Sequence, residues 1–117
     1  MNLLTFEQAT NLALAWNQSK APMVIAFIDD SCAACSEYME LAAPVITEYG
    51  FNHYCVNLTE NKVAFPPAYV PQTYWFFIEN QKPMVKRGAP PNKILLVETL
   101  EKILRVYRGE STIEQEF

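Results

Sequence analysis

Two cysteines three positions apart, Cys32 and Cys35, are the residues of this sequence best suited to chemistry, with only Ala33 and Ala34 between them. The run Met23–Ile28 just before them is apolar and of strand length. Beyond them, Tyr38, Leu41/Ala42, Val45 and Tyr49 are spaced for one face of a helix. A strand-to-helix turn holds two such thiols close enough to close a disulfide. It also sets them at a helix N-terminus, where the dipole favours the reactive thiolate. The pattern therefore points to thiol–disulfide exchange. Cys32, expected to be the more exposed, is the candidate nucleophile, and Cys35, one turn further in, is the candidate resolving thiol. Asp29 and Asp30 add negative charge beside the pair, and no Lys, Arg or His lies between the cysteines. Such neighbours disfavour a thiolate and lean the pair toward reducing disulfides rather than forming them.

The elements that must position this pair follow from periodicity and punctuation. Thr5-Phe6-Glu7-Gln8 reads as a capping box that opens a helix over about Phe6 to Asn17, with Phe6, Ala9, Leu12, Ala13 and Trp16 inward. Lys20-Ala21-Pro22 ends it. Met23–Ile28 is apolar on both faces, as suits a central strand covered on each side. The cysteine helix runs to about Tyr49 with Gly50 as C-cap, and Pro44 inside it predicts a kink near Glu40. Asn52–Leu58 alternates, with His53, Cys55 and Asn57 on one face and Tyr54, Val56 and Leu58 on the other. Residues 59–72, rich in proline, are expected to hold a short helix and a loop. Thr73–Ile78 is a second buried strand, Met84–Arg87 its antiparallel partner, and Gly88-Ala89-Pro90-Pro91 a break. A last helix over about Asn92 to Arg108 carries Leu96, Leu100, Ile103 and Tyr107 inward. The expected order is helix, strand, helix, strand, short helix, strand, strand, helix, a three-layer α/β/α sandwich with a mixed central sheet.

Bulk properties bound the function. The chain has 117 residues, half of them apolar, and a net charge of −4. That suits one domain over residues 1–108, with 109–117 as an acidic, mobile tail. Lys86-Arg87 is too short to be a basic patch, so no nucleic-acid partner is expected. No apolar run approaches the roughly 18 residues of a membrane span, and the N-terminus lacks the basic and apolar regions of a signal peptide. Three cysteines are an odd count, poor material for a secreted disulfide framework, so the expected setting is a reducing cytoplasm. A monomer is expected.

With Cys-x-x-Cys after its first buried strand, this order resembles the thioredoxin family over roughly residues 5–108. Ile25–Cys32 resembles that family's run from strand into motif. Val70-Pro71-Gln72-Thr73 is similar to its cis-proline turn, and Lys86-Arg87-Gly88-Ala89 to the glycine step after its last strand. The resemblance implies a protein-disulfide oxidoreductase acting on disulfide-containing proteins, recharged by an external reductase or a small thiol, with no metal or cofactor. It implies that Val70–Pro71 is cis and packs beside the cysteines. It also implies that substrate lies along Ser31, Ala33, Ala34, Val70 and Pro71, pairing with the Val70 backbone. The chain departs from the family pattern in having Ser31 for Trp before the motif, Ala33-Ala34 for Gly-Pro within it, and Ala26 for a buried Asp. These departures keep open a second reading, a redox-inactive binding subunit of a larger assembly.

Cys55 reads as a small core hydrophobe. A zinc set of Cys32, Cys35, His53 and Cys55 is conceivable from residue types. However, His53 and Cys55 lie about 7 Å apart along one strand, closer in sequence than structural zinc pairs usually are.

Overall fold

The computed structural model describes residues 2–19, 21–61, 70–79, 82–88 and 93–107. At its centre is β2, Met23–Ile28, whose four buried leading residues have one neighbour strand on each side. β3, Asn52–Asn57, runs parallel to it with Ala26 opposite Cys55, and β4, Gln72–Glu79, runs antiparallel with Ala26 opposite Thr73. β5, Lys82–Arg87, completes a hairpin with β4. On the far side of β3 lies β1, Asn2–Leu4, parallel to it. The sheet order among the described residues is β1-β3-β2-β4-β5. β1 is absent from the sequence expectation, which begins with a helix. Three residues carry too little periodicity to announce a strand, and only the edge of β3 makes one of them.

Alternation divides the strands between two cores. Val24, Ala26, Cys55, Trp75 and Phe77 face one side, under the cysteine helix and α4, Lys93–Tyr107. Met23, Ile25, Val56 and Phe76 face the other, under α1, Phe6–Ser19. This is the expected three-layer arrangement. In α4 the spacing holds, with Leu96, Leu100 and Ile103 buried. Asn92, Tyr107's side chain, Arg108, the tail and most of the expected short helix, at 62–69, lie outside the described residues.

α1 opens with the capping box its sequence calls for. The Gln8 N–H donates to Thr5 Oγ1 at 3.1 Å and the Thr5 N–H to Gln8 Oε1 at 2.9 Å. Ala9 and Trp16 are buried, and Trp16 Nε1 donates to the Ala21 carbonyl at 2.6 Å, tying the chain down before β2. Phe6 departs from expectation. It is 44% exposed and, among the described residues, lines an apolar groove with Leu14, Phe27 and Tyr74.

Pro44 reshapes the cysteine helix. Lacking an N–H, it cannot bond the Glu40 carbonyl, and the helix widens there. α2, Ala33–Glu37, passes into a π turn, Tyr38–Ala42, and then into α3, Ala43–Glu48, with Pro44 in its first turn. The Ala43 N–H reaches back to the Tyr38 carbonyl, five residues earlier. One extra residue in the turn moves the inner stripe by one place. Buried positions are Cys35, Tyr38, Ala43 and Ile46, whereas Leu41, expected inside, is 59% exposed, and Val45 and Tyr49 are half-buried. Gly50 closes the helix at φ +87°, its N–H on the Thr47 carbonyl at 2.9 Å.

Candidate functional site

The turn from β2 into α2 is built by its own side chains. Asp29 Oδ1 accepts the Ser31 N–H at 2.8 Å and the Ser31 hydroxyl at 2.6 Å, and these bonds hold its carboxyl below its ordinary range. The Asp29 carbonyl accepts the Cys32 N–H at 3.2 Å. Asp30 is anchored to β3, with Asn57 Nδ2 donating to its carboxylate at 2.7 Å and its N–H donating to Thr59 Oγ1 at 3.0 Å. Both carboxylates thus spend their hydrogen bonds on the turn, and neither bonds a cysteine side chain.

Cys32 is the N-cap residue of α2, with extended φ −98° and ψ 110°. Its Sγ, rather than the usual oxygen, accepts a helical amide: the Cys35 N–H points at it from 3.0 Å. The Cys32 thiol also faces the Val70 carbonyl at 3.6 Å. Both motif cysteines are free thiols here. They differ sharply in environment. Cys32 is partly exposed, while Cys35 is 2% exposed. Burial, followed by the hydrogen bond with Cys32, pushes the Cys35 thiol up to about 12 from 9.0.

The expected neighbours gather around this pair. Ser31, Ala33 and Ala34 are exposed on the rim, and Val70 and Pro71 are half-buried facing it. The Val70–Pro71 peptide bond is cis. Beneath Pro71, Thr73 Oγ1 and Trp75 Nε1 both donate to the Gly88 carbonyl, at 2.8 and 2.7 Å, and the Gly88 N–H returns to the Thr73 carbonyl at 2.9 Å. Gly88 adopts φ +118°, which L side chains rarely tolerate, and so turns the chain off β5 while it closes this network.

A second polar cluster lies on the same side of the sheet. Tyr38 Oη and His53 Nε2 are 2.6 Å apart, both buried. His53 Nδ1 is 4.0 Å from Cys55 Sγ, and the Cys55 thiol faces Met39 Sδ at 3.7 Å. Burial lowers His53 to about 4 and raises Cys55 to about 11, so both are neutral near pH 7. Strand alternation in the sequence puts His53 and Cys55 together. Tyr38 keeps the inward place its helical spacing gives it, whereas the contact of Met39 with Cys55 is one that no periodicity announces. Among the described residues, no group of three or more His, Cys, Asp or Glu side chains could hold a metal ion, so the four-residue zinc set does not form. No helix among them is long and apolar enough to cross a membrane.

No protein-family model and no curated protein matches the sequence. The fold is matched by solved structures. A thioredoxin from Trichomonas vaginalis aligns with a TM-score of 0.67 over 87% of this chain and 96% of that one, at 10% identity. Thioredoxin O2 from Arabidopsis thaliana, in its oxidised state, aligns at 0.61 over 91% and 93%, with 16% identity. A thioredoxin from Fasciola hepatica aligns at 0.61 over 88% and 99%, with 17% identity. The chain has the thioredoxin fold, with its Cys-x-x-Cys pair at the turn from the central strand into a helix.

Proposed function

We propose that this protein is a thiol–disulfide oxidoreductase that reduces disulfides in other proteins through a Cys32–Cys35 dithiol/disulfide cycle. The observation that carries the reading is the asymmetry of the two thiols. Cys32 is accessible and receives a helical N–H at 3.0 Å, a donor that stabilises negative charge on its sulfur. Cys35 is buried and held protonated. In the cycle, the Cys32 thiolate attacks one sulfur of a substrate disulfide, and the other leaves as a thiolate that takes a proton. Cys35 then loses its proton and attacks Cys32 Sγ, which releases the second substrate thiol. The substrate gains two electrons and two protons, and the protein is left with a Cys32–Cys35 disulfide. An external reductase or small thiol restores it.

Ser31, Ala33 and Ala34 would form the rim on which substrate lies. The Val70 backbone beside cis Pro71 would pair with an extended substrate segment next to the sulfur. Negative charge from Asp29 and Asp30 favours the reducing direction.

The test is the equilibrium reduction potential of the pair, titrated against dithiothreitol and read by thiol-labelling mass spectrometry. The expected result is a Cys32–Cys35 disulfide with a potential of about −270 to −230 mV. A Cys35→Ser protein should accumulate mixed disulfides on Cys32. If no Cys32–Cys35 disulfide forms at any poise, the redox reading falls and the fold is left as a binding scaffold.

A further inference from the structure

We propose that Met39, His53 and Cys55 form a buried binding site for a single soft monovalent metal ion, Cu(I). Nothing in the exchange cycle uses these three side chains. A thiol in the core nevertheless has a thioether and an imidazole nitrogen within 4.0 Å of its sulfur.

The distances suit an ion between them. Cys55 Sγ is 3.7 Å from Met39 Sδ and 4.0 Å from His53 Nδ1. With a metal about 2.3 Å from each sulfur and about 2.0 Å from the nitrogen, those separations correspond to angles of about 110° and about 140°. Both angles are open enough for an ion that bridges Cys55 to each neighbour.

Ligand type and charge select the ion. Thiolate and thioether donors favour Cu(I), whereas hard cations require oxygen ligands, which this set lacks. On binding, the Cys55 thiol gives up its proton to solvent, and an S–Cu bond replaces the S–H bond. With His53 and Met39 neutral, one thiolate and one monovalent cation leave the site with no net charge. Neutrality matters because Cys55 is fully buried and His53 is only 4% exposed. A divalent ion would leave an uncompensated positive charge in the core.

The surroundings are those of a supported ligand set. Coordination through Nδ1 requires the imidazole proton on Nε2, and Tyr38 Oη is 2.6 Å away to accept it. Tyr38 and Met39, adjacent in sequence at the start of the π turn, contact the same strand. Met39 is the half-buried member of the set and gives the ion its path from solvent.

The test uses the full-length chain carrying Cys32→Ser and Cys35→Ser, so that the motif thiols cannot bind the probe. Cu(I), kept reduced with ascorbate, is titrated against the chromophoric chelator bicinchoninate, with folding followed by circular dichroism. One Cu(I) per chain is expected, with one proton released and an X-ray absorption signature of two sulfurs and one nitrogen. Met39→Leu preserves volume and should weaken retention at least about tenfold, and Tyr38→Phe about 10- to 100-fold. A serine-substituted protein that holds no Cu(I) against the chelator overturns the proposal, as does Met39→Leu binding as tightly as its parent. Cys55→Ala should abolish binding; should it fail to fold, the Met39→Leu comparison decides.

Discussion

Cys35 should be among the slowest thiols of the folded protein to alkylate, and the size of the effect follows from its burial. It is 2% exposed, and its thiol is pushed up to about 12 from 9.0. At pH 8 an ordinary thiol is about one-tenth thiolate, whereas Cys35 would be about one part in ten thousand, a thousandfold deficit of the reactive form. A more basic thiolate is a better nucleophile. With a Brønsted slope of about 0.4–0.5, that returns a factor of about 15 to 30. Cys35 should therefore react about 30- to 60-fold more slowly than the same cysteine in urea-unfolded chain, before any further barrier from lack of access. Cys32, partly exposed at the head of the helix, should react first. The assay is iodoacetamide labelling of the fully reduced protein at pH 8, with rates localised by fragmentation mass spectrometry and compared with the unfolded chain. Cys35 labelled within threefold of its unfolded rate, or ahead of Cys32, would falsify both the burial argument and the assignment of roles.

Three further outcomes follow from the structure. Burial holds the protons of Tyr38, Cys35 and Cys55 more tightly in the folded state than in the unfolded chain. Stability from this source is complete below about pH 9 and is lost as pH rises toward 12; the urea midpoint should fall across this window and fall less in Cys35→Ala. Tyr38→Phe leaves buried His53 Nε2 without its 2.6 Å partner and should cost about 1–3 kcal/mol in urea unfolding, so an unchanged midpoint would count against that bond as a structural one. Ile46→Ala should cost about 2–5 kcal/mol and Leu41→Ala no more than about 0.5 kcal/mol, because the π turn places Ile46 inside and Leu41 out; similar costs for the two would show that the helix keeps a simple α phase.

Much of this fold was legible wherever one residue's neighbours along the chain settle its conformation. The capping box at Thr5 and Gln8, the two-sided apolar run of β2, the alternation of β3 and the spacing of Leu96, Leu100 and Ile103 are local patterns. Each reappears in the structure at or near its expected bounds. The motif cysteines were legible for the same reason, since a strand, a turn and a helix adjacent in sequence deliver them together. Pro44 signalled a disturbance of the helix, and Gly50 its end.

Other features needed the tertiary structure. β1 exists because β3 offers it an edge, and three residues alone cannot show that partner. The π turn at Tyr38–Ala42 leaves Pro44 without a clash and the helix still packed on the sheet, and it exchanges Leu41 for residues further along as the buried stripe. Tyr38 meets His53 and Met39 meets Cys55, contacts across 15 and 16 positions that no local period encodes. The Val70 carbonyl reaches Cys32 from 38 positions away for the same kind of reason. Local sequence determined which segments coil, extend or turn, because those preferences act through bonds and near neighbours. Burial between layers decided which side chains meet, because it acts between segments distant along the chain.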